Sequence, residues 1–141
     1  MIKITPEMKE RIDRAFYDKR TCLWATSSKA GAPDISFRGS TFVYDEEHLA
    51  FWDRSRGVST TNIEENPQVC MMYFEPGRGG WRFYGRATIF KEGEMRQKIM
   101  DRVIKEELDK DPERKGYGVL VRVDKIRRHS GDEIVQERGP A

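Results

Sequence analysis

Apolar positions along the chain recur in two rhythms, and the change from one to the other predicts the elements. Residues 6–17 place Met8, Ile12, Ala15 and Phe16 at helical spacing, with Thr5 as N-cap, Pro6 in the first helical position and Glu7 in the first turn. An amphipathic helix is expected there. Residues 21–26 are rich in β-formers, and residues 27–33 close that strand with glycine and proline. Residues 34–38 alternate polar and apolar, 41–44 are rich in β-formers, and 48–52 follow a turn at 45–47; together they predict an antiparallel meander. Residues 60–65 are helical in character and end at Asn66-Pro67.

Residues 68–74 read as a buried strand, 77–80 as a hairpin loop, and 81–90 as a long strand with Gly85 at its bend or bulge. Met95, Ile99, Val103 and Ile104 then return to helical spacing, predicting one helix over 92–108 that stops at the charged, proline-containing run 109–112. Residues 118–123 form the last clear strand, and the polar tail 127–141 holds one short candidate at 133–135. About six strands and three helices without βαβ alternation give a mainly β (α+β) fold, an antiparallel barrel with peripheral helices.

With 141 residues and 37% hydrophobic content the chain suits a single domain over 1–141, small enough for oligomerisation to help bury apolar surface. The 26 basic and 24 acidic residues are interspersed, which argues against a nucleic-acid partner. Neither a secretory signal nor a membrane-spanning run is visible, so the expected location is cytoplasmic, away from membranes. Cys22 and Cys70 lie in apolar runs without CxxC spacing and read as two reduced, buried thiols.

The chemistry concentrates between Phe37 and Pro67. Arg38, Arg54 and Arg56, with hydroxyls at Ser40, Thr41, Ser59 and Thr60 where a strand hands over to a helix, supply donors for a phosphate. Taken singly, the arginines could instead pair with Asp45, Glu47 and Asp53, and Ser59 could cap a helix. Trp52, Trp81, Phe83 and Tyr84 offer a wall for a flat ligand or, alternatively, fill the barrel, while Gly39 lets the backbone approach a ring. His48 and His129 are expected on the surface. No hydrolase, P-loop or metal-ligand motif is present, so any chemistry would come from a bound cofactor, and no catalytic acid or base is assigned.

Several segments carry a resemblance: Cys22-Leu23-Trp24-Ala25-Thr26 with the turn Gly31-Ala32-Pro33, then Arg38-Gly39-Ser40, Phe51-Trp52-Asp53, the block from Ser59 through Asn62-Ile63 and Asn66-Pro67 to Val69, and Trp81-Arg82-Phe83-Tyr84-Gly85-Arg86-Ala87. On these the chain resembles the pyridoxamine 5'-phosphate oxidase-related, FMN-binding split-barrel superfamily, from the first helix through about Phe90. The resemblance implies a homodimer of split barrels with FMN sites at the subunit interface and an oxidoreductase acting on a small molecule. Arg38 and the backbone of Gly39, Ser40 and Thr41 would then lie along the flavin and its ribityl chain. Trp52 and Asp53 would line ring and sugar, Arg56, Ser59 and Thr60 would hold the phosphate, and Trp81 and Arg82 would reach the neighbouring chain's site. Many family members have lysine where this chain has Ser59, and the extended C-terminal substrate-binding part of the authentic oxidases has no match here, so oxidation of pyridoxamine phosphate itself is not expected. A non-catalytic barrel holding haem or another planar ligand, and a deazaflavin F420 enzyme, are the alternatives.

Overall fold

Two edges of one long sheet decide the architecture. The computed structural model describes residues 1–140. Its strands are β1 (Cys22–Ser27), β2 (Pro33–Arg38), β3 (Phe42–Asp45), β4 (His48–Asp53), β5 (Gln68–Glu75), β6 (Gly79–Phe90), β7 (Tyr117–Arg128) and β8 (Ile134–Glu137). They form one antiparallel sheet in the order β2-β1-β5-β6-β7-β4-β3, with β8 on the outer half of β7. The split barrel expected from the sequence is therefore present with eight strands among the described residues. Its opening lies between β2 and β3.

That opening corrects the predicted meander. β2 folds back on β1 and β3 pairs with β4, so two strands adjacent in sequence are the two ends of the sheet. The link Arg38-Gly39-Ser40-Thr41 crosses from one edge to the other because its hydroxyls take over the role of a ladder. Ser40 Oγ donates to Trp52 O at 3.2 Å and accepts from Trp52 N at 3.0 Å, while Thr41 Oγ1 donates to Arg38 O at 2.8 Å.

The helices are α1 (Pro6–Asp13), α2 (Val58–Glu65), α3 (Glu94–Met100) and α4 (Lys105–Leu108). Thr5 caps α1 as predicted, its Oγ1 accepting from Met8 N at 3.2 Å. α1 ends at Asp13 rather than residue 17, where the Asp13 carboxylate accepts the Val43 N–H of edge strand β3 at 2.8 Å. The single helix predicted over 92–108 is likewise broken into α3 and α4. Arg102, in the gap, donates to Tyr44 O at 2.8 Å and Val43 O at 3.2 Å, and Val103 turns inward. The break thus protects a sheet edge that a continuous helix would leave open.

Two apolar clusters result. The larger fills the barrel with Trp24, Phe51, Met71, Tyr73, Phe83 and Ile126, closed by Met8 and Ile12 of α1; truncating one of its aromatics to alanine would cost about 3–5 kcal/mol. The smaller lies under α3 and joins Phe42, Ala50, Trp52, Ile99 and Val103. Gly85 sits at a register shift in the β6–β7 ladder, as its position in the sequence predicts. No helix among the described residues is long and apolar enough to cross a membrane.

Candidate functional site

The end of β4 delivers Asp53 to the point where the loop into α2 begins, and the site is organised around its carboxylate. Asp53 is 1% exposed. It accepts from Arg38 Nη1 at 3.0 Å, Ser55 Oγ at 3.2 Å, the Arg56 backbone N–H at 3.1 Å and the Thr60 hydroxyl. Arg38, at the end of β2, reaches this point across the opening, with its guanidinium 5.1 Å over the Phe51 ring. Its Nη1 is paired, whereas its Nε is buried without a partner. Arg38 and the start of α2 are therefore brought together, as the sequence predicts, but by a buried carboxylate that already uses part of their donor capacity.

The donors left free lie one layer outward. The N-terminus of α2 has Gly57 at its N-cap position and no side-chain cap, leaving its first N–H groups open. Arg54 and Arg56 are exposed beside it and have no acidic partner among the described residues. Arg56 adopts φ 50°, a conformation held in place by its N–H bond to Asp53. Ser59 Oγ leans instead toward Asp34 at 3.4 Å and Ser36 at 3.5 Å.

Several predicted residues are also tied into the fold. Ser40 and Thr41 are buried, and their hydroxyls brace the link; Thr41 Oγ1 also accepts from Trp24 Nε1 at 2.9 Å. Trp52 borders the small cavity beside Arg38 and Gly39, while its ring packs under α3, with Arg96 4.9 Å above it and its Nε1 donating to Asp111 at 2.9 Å. Trp81 is turned into the barrel, stacked on Tyr73 at 6.2 Å, because β6 alternates Trp81 and Phe83 inward against Arg82 and Tyr84 outward. His129 is not a free surface residue either, since its Nδ1 accepts the Gly80 N–H at 3.2 Å.

Sequence reasoning missed two carboxylates. A methyl group built on Gly39 would stand 2.8 Å from Glu107 Cδ, so the α4 carboxylate lies directly over the backbone of the link. With Arg38, Ser40, Arg54 and Ser55 it encloses a cavity of about 60 Å³. Asp111, between α4 and β7, anchors this segment by accepting from Trp52 Nε1, Lys115 N at 3.0 Å and Gly116 N at 2.8 Å. Burial alone would raise its pKa, but these donors and Arg114 outweigh burial and hold it below the ordinary value. Both cysteines are free thiols; Cys22 is buried as expected, whereas Cys70 is half-buried, and desolvation pushes the Cys22 thiol up to about 12 and the Cys70 thiol to about 11.

The outer face of β2, β1 and β5 is apolar beside this site. Phe37, Leu23 and Met72 form one cross-strand row and Ile35, Ala25 and Cys70 the next; Phe37 is 69% and Ile35 64% exposed. Phe37 also lines the cavity at Arg38 and Gly39, so face and site are continuous.

Residues 4–127 match the sequence profile of the family described as pyridoxamine 5'-phosphate oxidase. The chain belongs to that family. Solved structures share its fold. HupZ from Group A Streptococcus is 23% identical, with a TM-score of 0.73 over 94% of this chain and 99% of that one. An FMN-binding protein from Syntrophomonas wolfei is 16% identical, with a TM-score of 0.70 over 90% and 89%. HutZ, the heme storage protein from Vibrio cholerae, is 18% identical, with a TM-score of 0.67 over 90% and 95%. No protein of curated function matches the sequence significantly.

Proposed function

We propose that this member of the pyridoxamine 5'-phosphate oxidase family binds FMN at the Arg38–Asp53 corner and serves as an oxidoreductase for a small molecule, as a homodimer whose sites lie at the subunit interface. The observation that carries the reading is the set of unsatisfied donors gathered there: the uncapped start of α2, the unpaired Arg54 and Arg56, and the orphaned Arg38 Nε. The α2 N–H groups with Arg54 and Arg56 fit a phosphate dianion, and the Arg38 Nε is left for another acceptor of the coenzyme. Arg56 would take the place of the lysine expected in many family members where this chain has Ser59, with Arg54 beside it.

On this reading the roles divide by what is free. Arg54, Arg56, Ser59 and the first N–H groups of α2 hold the phosphate, while Arg38 and the Gly39 backbone border the rest of the coenzyme. Asp53, Ser40, Thr41 and Thr60 are positioning residues that fix Arg38, the link and the loop. Glu107 adds an acceptor at Gly39. Bound FMN supplies hydride or single-electron transfer, which nothing in the chain supplies by itself. The cavity of about 60 Å³ is too small to enclose a tricyclic ring. A second subunit on the apolar face beside Phe37 would provide the missing wall and cover a surface that a monomer would leave wet.

Reconstitution tests this directly. Protein exchanged into FMN should turn yellow, release the flavin on denaturation and run as a dimer by light scattering. Changing Arg54 and Arg56 together to alanine should weaken FMN roughly tenfold or more, as expected for lost charge-assisted bonds. Phe37→Glu should give monomers and lose the flavin with them. A colourless protein that takes up hemin, with affinity untouched by the arginine changes, would replace FMN by an apolar-slot reading.

A further inference from the structure

A second concave region opens between α1, the β5–β6 turn and the connection from β7 to β8, and it shares no lining residue with the Arg38 cavity. It measures about 320 Å³ and is bordered by Arg11, Arg78, Arg128 and His129, with one carboxylate, Glu7, at its edge and Met8 and Val135 as apolar wall. Its floor is unusual. Arg11 is 7% exposed, and its guanidinium sits 4.7 Å from the Trp81 ring and 5.0 Å from the Tyr73 ring. One nitrogen donates to Gly79 O at 2.8 Å. Its Nε is buried with no partner, and so is the Tyr73 hydroxyl.

A guanidinium taken out of water ordinarily has a carboxylate buried with it. Arg38 has Asp53. Arg11 has only Glu7, 3.6 Å away on a side chain that is mostly in solvent. At the rim, Arg78 and Arg128 are held by Glu75 at 3.3 Å and Glu133 at 3.9 Å, pairs that solvent screens and an incoming ligand can displace. His129 uses Nδ1 to accept the Gly80 N–H, which leaves Nε2 as its donor. Gly79, at φ 76°, allows this packing, since a side chain there would begin 3.0 Å from the imidazole Cε1.

We propose that this cavity binds a small organic anion, a carboxylate or phosphate monoester on an apolar body, with Arg11 as the preformed charge on its floor and Arg78, Arg128 and His129 as rim donors. Its place over the Trp81 and Tyr73 rings and its bond to Gly79 O fix Arg11 before the ligand arrives, so little ordering is required of it on binding. The site does not depend on FMN binding at the other corner.

Titration with benzoate and with phenyl phosphate at constant ionic strength, read by ¹⁵N NMR at the Arg11 Nε–H and Trp81 indole signals, tests the proposal on the full chain. Both signals should shift and saturate with at least one of the probes, and equally so in an Arg56→Ala background, where the flavin corner is weakened. Arg11→Met should abolish saturation. Because that change also alters the core, the rim variant Arg78→Ala/Arg128→Ala carries the decision, with affinity expected to fall about tenfold. Shifts that rise linearly with both probes, or saturation unchanged in the rim variant, would overturn it.

Discussion

Two largely buried arginines hold two corners of this barrel, and they are made acceptable to the interior by opposite means. Arg38 is neutralised by a carboxylate 3.0 Å away that is itself 1% exposed, so the pair forms a closed electrostatic unit with its charge spent inside. Arg11 lies over the Trp81 and Tyr73 rings, bonded to one carbonyl and paired only with Glu7, whose side chain is mostly in solvent. The first arrangement builds a scaffold, and binding capacity moves outward to Arg54, Arg56 and the start of α2. The second keeps its capacity on the buried cation itself. In this fold, what a buried arginine can do depends less on its burial than on whether its counter-charge is buried with it.

The largest expected effect breaks the first unit. Asp53→Ala removes the acceptor shared by Arg38, Ser55, Arg56 and Thr60 and strands a buried guanidinium, which should cost about 3–5 kcal/mol in urea unfolding. Arg11→Met leaves no buried carboxylate behind and forfeits two cation–π contacts and one hydrogen bond, so its loss should be smaller, about 1–3 kcal/mol. Equal losses would mean that Arg11 is as tightly compensated as Arg38 and would remove the contrast.

A third buried charge sharpens the comparison from the carboxylate side. Asp111 is held as an anion mainly by neutral donors, Trp52 Nε1 and the Lys115 and Gly116 N–H groups, and its pKa lies below the ordinary 3.8. A depressed folded-state pKa makes the contribution complete above about pH 4 and lost as pH falls through the lower folded value. Asp111→Asn turns a donor toward donors and should cost about 1–3 kcal/mol at pH 7. The gap between wild type and variant should narrow below the ordinary value. A gap constant from pH 7 to pH 3 would show that the charge at Asp111 is immaterial.

These buried charges also mark where the sequence stops being readable. Features set by neighbours in the chain were legible: the Thr5 cap, the Asn66-Pro67 stop before β5 and the register shift at Gly85. The meeting of Asp53, Arg56 and Thr60 was legible as well, since residues joining one strand end to one helix start must meet, and Arg38 arrives there from the end of β2. What escaped depends on partners far along the chain. The break between α3 and α4 exists because Arg102 finds the carbonyls of Val43 and Tyr44. The inward turn of Trp52 exists because Asp111 receives its indole, and the cover over Gly39 because α4 carries Glu107 there. A periodicity reports which face is apolar and does not report which element will cover it.

The smallest expected effect adds charge to the corner that spends its own. Ser59→Lys places a cation in the first turn of α2, where the helix dipole disfavours it by about 0.3–1 kcal/mol, and Ser59 is buried, so the apo protein should lose a little stability. Asp34, already 3.4 Å from the Ser59 hydroxyl, offers the new ammonium a partner and limits that loss. If the phosphate reading is right, the same cation should raise FMN affinity a few-fold, so that the two measurements move in opposite directions. Lower stability without tighter flavin would place the phosphate elsewhere, because a charge added at the start of α2 must be felt by an anion bound there.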